Sequence, residues 1–297
     1  MKKNKNLVGI IQAIFSAILF GLMPLFTKVI FGFGANFASA AFYRTSLPLI
    51  LVLVLSILED RSIRINLKEL FYLIIASIFF VATSLTLYRS YNFISSGVAT
   101  TIHFAYPIII FIINTIITKS SPNKIDAFCL LMVTVGLILI IDFKTGHIDM
   151  RGIILAAISA FTYSFYSIFL ERSYLRNLNS LRILFYINLI STFLIVIFII
   201  FSGNELVLTF SPFQWVFLFI YSVVITVGAT LLYQKSLRII GATYTSILSC
   251  LEPVTSVVVG VAILSELIFL KQFIAIIMII SSTIIIVKNQ IKKYKID

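Results

Sequence analysis

The chain has 297 residues, of which 60% are hydrophobic and 11% charged, with a formal net charge of +12. Soluble domains carry about 25% charged residues, so this composition excludes a water-soluble globule and makes lipid the natural solvent. Nucleic-acid binding is set aside as well, because the basic residues sit at the ends of apolar runs rather than on one face.

The apolar runs exceed the ~18 residues that mark a membrane span. In chain order they predict helices near 8–30, 37–58, 70–88, 97–118, 125–142, 152–171, 181–202, 213–234, 242–264 and 270–288. Helices are required because an open strand leaves its backbone unsatisfied in hydrocarbon. The first run follows Lys2, Lys3 and Lys5 and imitates a signal peptide. Its apolar part continues from Leu7 to Phe31, too long for an h-region of about 7–15 residues, so it reads as a retained span. Cys129 and Cys250 fall inside apolar runs and read as small buried side chains, not as a disulfide framework or metal site.

Ten spans place both termini on one side. That side collects 17 of the 23 basic residues, against Arg89, Lys144, Arg151 and Lys271 on the other. The asymmetry predicts cytoplasmic termini in a bacterial-type plasma membrane.

An internal repeat is visible. Gly9 to Ala17 matches Gly152 to Ala160 at six of nine positions with an offset of 143. The same offset carries Phe42-Tyr43 onto Phe185-Tyr186. An offset of 145 carries Tyr88 onto Tyr233, and one of 146 carries Pro107 onto Pro253. The predicted architecture is an all-α membrane protein of ten helices in two five-helix repeats, residues 1–145 and 146–297. Five is odd, so the second repeat enters from the opposite side, as in secondary transporters whose site lies at the midplane between inverted repeats.

Polar residues within spans nominate a cavity. In span four, counting about 100° per residue from His103, Ser96, Thr100, Pro107, Asn114 and Thr118 all fall within about 60°. His103 reads as cavity lining, Ser96 and Thr118 as helix-to-helix hydrogen bonding. In span nine Thr245, Ser249, Glu252 and Ser256 share a face of about 60°. The repeat aligns Ser249 with His103 and Glu252 with Tyr106. The predicted cavity is lined by spans four and nine, with three, six and eight contributing. Tyr163 is deep in span six and suits a partly apolar organic cargo, whereas Tyr88 and Tyr233 at span ends serve either cargo or the interface. Pro107 and Pro253 each free a carbonyl one turn earlier, giving either a gating bend or plain curvature. Lys28 snorkels at a span end. Arg44, two turns into span two, is either tied to neighbouring carbonyls or attracts anions. Glu171 and Glu266 read as solvated or capping groups. Glu252 is the acidic residue nearest a span centre, where an unpaired carboxylate is costly. It either binds a cationic group such as an ammonium, exchanges a proton, or hydrogen-bonds structurally beside Pro253.

No Walker loop is present, and His103 and His147 lack metal-ligand spacing, so no cofactor is expected. The expected partners are a small-molecule substrate and the lipid bilayer, with proton or solute counter-transport; oligomeric state is left open.

The sequence also resembles the EamA family of the drug/metabolite transporter superfamily over about residues 7–288. The similarity rests on Gly241-Ala242, Leu251-Glu252-Pro253-Val254, Gly260, Leu264, Glu266, Leu267 and Gln272. In the first half it rests on Phe20-Gly21, Lys28, Arg44, Ser96-Gly97 and Tyr106-Pro107. It departs at Phe20-Gly21-Leu22, where many relatives carry Trp-Gly-Ser, and at Ser281-Ser282, where a Gly is common. The resemblance implies ten helices, alternating access and export of metabolites, amino acids or drugs. The competing readings are a membrane-embedded enzyme, which needs a nucleophile or metal cluster, and a channel or scaffold.

Overall fold

The computed structural model describes residues 2–60, 63–119, 123–140, 149–264 and 269–296. Arg61, Lys144, His147, Glu266 and Leu267 lie outside them. Every described element is a helix.

Several predicted spans are interrupted. The first is two helices, α1 (Lys2–Phe20) and α2 (Met23–Gly32), parted at Gly21-Leu22 with Pro24 in the first turn of α2. The second is α3 (Phe37–Ser46) and α4 (Leu49–Asp60), parted at Leu47-Pro48. The third is unbroken, α5 (Leu67–Ser90), and starts on a capping box of Asn66 and Glu69. The fourth is α6 (Ser96–His103) and α7 (Tyr106–Thr118), and the fifth α8 (Lys124–Ile140). In the second half come α9 (Met150–Arg172), a 3₁₀ turn Tyr174–Asn177 and α10 (Ser180–Ser202). Then α11 (Pro212–Ser222) runs through a π-helical stretch, Val223–Thr230, into α12 (Leu231–Ser249). The last are α13 (Glu252–Leu264) and α14 (Leu270–Ile296).

Spans four and nine break at equivalent places, Phe104-Ala105 and Cys250-Leu251, each shortly before its proline. A proline lacks the N–H for the preceding turn and crowds the carbonyl four residues back. The sequence reading had only a bend there; the structure has a change of helix.

Ten spans are expected, and among the described residues eight helical segments are long and apolar enough to cross a membrane. Two features bear on the count. Helix α8 has 17 described residues, and one segment, Pro212–Val259, has 48. At 1.5 Å per residue 48 residues extend about 72 Å, more than twice the ~30 Å hydrocarbon core. That segment is not straight, because Gly241 sits at φ 84°, ψ 166° inside it.

Packing crosses the two halves. Helix α1 lies along α12 and the π stretch, α5 along α9, and α8 along α14. Glycines permit the closest approaches. A Cβ on Gly9 would sit 2.8 Å from Ile239, and one on Gly152 would sit 2.8 Å from Ile94. Gly9 and Gly152 differ by 143 and Ile94 and Ile239 by 145, so these two contacts exchange under the repeat. Polar ties add to them: Ser16 Oγ donates to the Ala229 carbonyl at 2.8 Å, and the Thr83 and Thr162 hydroxyls meet at 2.7 Å.

Candidate functional site

The helix breaks in spans one, four and nine meet around a partly open cavity of about 660 Å³. Spans one to four supply Phe20, Gly21, Met23, Pro24, Arg44, Phe80, Thr83, Ser84, Leu87, Tyr91, Thr100, His103 and Tyr106. The second half supplies Tyr163, Glu252, Pro253 and Ser256. The wall is thus mostly aromatic and aliphatic, with a few polar groups from both halves, the usual make-up of a small-molecule site.

His103 ends α6 and is buried. Its Nδ1 lies 2.8 Å from Ser159 Oγ, whose hydroxyl donates to the Ala156 carbonyl at 2.6 Å. The single serine proton is used on that carbonyl, so in the neutral ring Nδ1 carries the hydrogen and Ser159 accepts it. Nε2 is left as an acceptor with no partner among the described residues.

Arg44 is buried, 5% exposed. Its Nη1 donates to Tyr88 Oη at 3.3 Å and sits 3.5 Å from Ser84 Oγ. The guanidinium lies over the Phe80 ring at 5.1 Å and the Phe20 ring at 5.9 Å. Its ties are therefore to hydroxyls and ring faces rather than to the carbonyls expected, and Nε has no partner among the described residues. Arg44's own carbonyl accepts from Thr226 Oγ1 in the π stretch at 2.9 Å.

Glu252 opens α13 at the second break. Among the described residues its carboxyl makes no hydrogen bond and no ion pair. It lines the same cavity as Arg44 without forming an ion pair with it. Around them, Tyr106 and Tyr163 pack edge to face at 4.8 Å, and His103 lies 5.3–5.4 Å from both rings. The Tyr106 hydroxyl lies toward Ser249 but has no aligned hydrogen-bond partner.

The other candidate residues stand behind this wall. Tyr88 is fully buried and joins Arg44 to Tyr221, whose hydroxyl is 2.6 Å from its own. Tyr233 is fully buried, with its hydroxyl 2.8 Å from Ser167 Oγ and its ring 5.4 Å from Tyr163. Thr245 pairs with Ser236 at 3.0 Å, and Ser249 donates to the Thr245 carbonyl at 3.0 Å. The span-nine stripe thus divides at the helix break: Glu252 and Ser256 line the cavity, while Thr245 and Ser249 are consumed within the bundle. Pro253 lines the cavity and Pro107 does not. Lys28 is exposed and away from it. Span eight lends no lining residue, and spans one and two take its place.

Phe80, Thr83, Ser84 and Leu87 were missed by sequence reasoning, although their spacing of three and four residues marks one helical face carrying two hydroxyls. Tyr91 was missed because it lies past the predicted end of span three.

Side-chain hydrogen bonds also tie α7, α9 and α12 together. Asn114 Nδ2 donates to Thr243 Oγ1 at 3.0 Å, and Arg172 Nε donates to Asn114 Oδ1 at 3.1 Å. Gln234 Nε2 donates to Tyr166 Oη at 2.9 Å. No grouping of metal-ligating side chains is present among the described residues.

A model of the EamA-like transporter family matches residues 7–142 and again 150–288. A solved structure, titled only as the crystal structure of a protein, superposes with a TM-score of 0.76 at 15% identity, over 96% of this chain and 98% of that one. At that identity the likeness establishes a shared fold. No curated protein matches the sequence.

Proposed function

The chain belongs to the EamA-like transporter family, and on that premise we propose that it is a secondary carrier of small organic solutes, working by alternating access as an exporter. The observation that carries the reading is the cavity: one hollow, walled by both repeats, holding a guanidinium and a carboxyl that no ion pair neutralises among the described residues. Isolated charges in a membrane interior are costly and mark solute or ion pathways. The aromatic walls suit a cargo with an apolar body, its cationic end at Glu252 and its anionic end at Arg44, with His103 Nε2 accepting a further hydrogen bond. Solute–proton exchange at Glu252 is the companion role.

In this reading the repeats are inverted and ten spans are present, Pro212–Val259 supplying two and α8 the short fifth. The exchange of the Gly9–Ile239 and Gly152–Ile94 contacts supports a two-fold relation. Both termini are then cytoplasmic in the plasma membrane. The cavity lies in the half of the bundle away from them, so the ties of Asn114, Arg172 and Thr243 close the cytoplasmic side and must part for the site to reopen inward.

Purified protein screened by thermal shift against amino acids, their amides and their decarboxylated amines tests the cargo. The reading expects stabilisation by amphoteric solutes and saturable counterflow of the strongest one in proteoliposomes. A channel gives flux without saturable counterflow, a scaffold gives neither, and an enzyme converts the solute.

A further inference from the structure

A second concavity, sharing no lining residue with the central cavity, opens where the ends of α1, α4, α10 and α12 meet the 3₁₀ turn. It is an open hollow of about 1770 Å³ lined by Lys5, Arg176, Arg182, Lys235 and Arg238, with Glu59 the one acidic side chain among the described lining residues. The positive-inside rule asks for basic residues on this face but does not ask that they converge. Four segments, α1, the 3₁₀ turn, α10 and α12, nonetheless bring theirs to one hollow.

How the charges are held is informative. Arg238 Nε donates to the Arg176 carbonyl at 2.9 Å and Nη1 to Ser180 Oγ at 2.8 Å. Its guanidinium is therefore fixed by neutral acceptors, which orient it without cancelling its charge, and three of its five N–H groups remain. Glu59 is already engaged, accepting from Asn179 Nδ2 at 3.0 Å and facing Lys235 Nζ at 4.0 Å. The side chains of Lys5 and Arg176 are exposed and in no ion pair among the described residues. Oriented guanidiniums beside flexible ammoniums match a phosphate, which takes forked N–H donors and point charges together. Basic pockets between spanning helices bind anionic headgroups on that side of a membrane.

We propose that this hollow is a binding site for a phosphate-bearing anion, presented either by an anionic phospholipid headgroup or by a free phosphorylated solute. The site is independent of the cargo cavity and of which solute that cavity carries.

The test uses the full chain in a neutral detergent, with the unfolding temperature as readout. One arm titrates sodium phosphate against sodium chloride at equal ionic strength. The other titrates phosphatidylglycerol against phosphatidylcholine in mixed micelles. At least one anion is expected to stabilise saturably. Stabilisation by the lipid alone assigns the headgroup, and stabilisation by phosphate assigns the phosphate group itself. Lys5→Gln combined with Arg176→Gln, both at exposed side chains, is expected to weaken the effect at least tenfold. Glu59→Gln, which removes the opposing carboxylate, is expected to strengthen it. No stabilisation by either anion beyond its control, or full stabilisation of the double variant, overturns the proposal.

Discussion

His103 and Ser159 are joined by a 2.8 Å contact between spans four and six, and this contact decides which nitrogen the cavity meets. With the Ser159 proton committed to the Ala156 carbonyl, the imidazole offers a lone pair, not an N–H, to whatever enters. Loss of one hydrogen bond to cargo costs about 0.5–1.5 kcal/mol, roughly 2- to 13-fold in affinity. His103→Phe, which fills similar space without the acceptor, is expected to raise the half-saturation concentration by that factor. Ser159→Ala, which leaves the tautomer unfixed, is expected to have a smaller effect of the same sign. Concentration dependence of counterflow checks both.

Gly21 marks the tightest meeting of the repeats beside the cavity. A Cβ there would lie 2.6 Å from Thr255 Cβ and 2.7 Å from the Glu252 carbonyl oxygen. Neither can yield easily, since one is backbone. Gly21→Ala is expected to destabilise by about 1–3 kcal/mol through overpacking and to slow transport. Gly97→Ala is the contrast, because a Cβ there meets nothing within 4 Å inside a helix. It is expected to be neutral or to stabilise by about 0.5–1 kcal/mol. Detergent unfolding curves of the two variants separate these outcomes.

Arg44 bears on stability and on cargo together, and two substitutions part the roles. Arg44→Lys keeps the charge but loses the planar stack on Phe80 and the fixed reach to Tyr88. It is expected to lower stability by about 1.5–3 kcal/mol, the size of a hydrogen bond to a charged group, while retaining measurable transport. Arg44→Met, which also removes the charge, is expected to abolish transport of an amphoteric solute. Equal transport by both variants contradicts an anion-binding role.

Gly241 kinks α12 between Ile240 and Ala242, at φ 84° and ψ 166°. A side chain there is strained, and its Cβ would meet Glu171 Oε1 at 2.8 Å. Gly241→Ala is expected to cost about 1–3 kcal/mol for the backbone alone, because positive φ with extended ψ is a region that glycine alone adopts readily, with a fall in unfolding temperature as the check. Glu171 reads from sequence as a solvated or capping group, but its Oε2 is buried against this kink with no partner among the described residues.

Composition and charge made the membrane class legible, because they depend on sums over many residues. The repeat was legible through Gly9–Ala17 and Gly152–Ala160, which keep small residues where helices touch. Helix breaks were less legible. Pro48, Pro107 and Pro253 flag three of them, yet a proline in lipid is as compatible with a bend as with a break, and at Gly21-Leu22 the flag is Pro24, two residues on. Angular arithmetic on span nine failed past the break, since Thr245 and Ser249 belong to a different helix axis from Glu252 and Ser256. His103, Tyr106, Tyr163 and Glu252 were found because polar groups amid apolar runs stand out. Phe20 and Phe80 were not, because nothing in an aromatic residue of such a chain says which ones face a cavity.

The account turns on Glu252, and Glu252→Gln tests it most directly, because the amide keeps the shape and hydrogen-bonding capacity while removing the charge. The measurement is the rate of counterflow in proteoliposomes, wild type beside variant, across a range of pH, with membrane insertion and unfolding temperature as controls. The account predicts that the variant inserts and folds as wild type does while counterflow is lost or its pH dependence abolished. A folded variant that transports at the wild-type rate with an unchanged pH profile contradicts it.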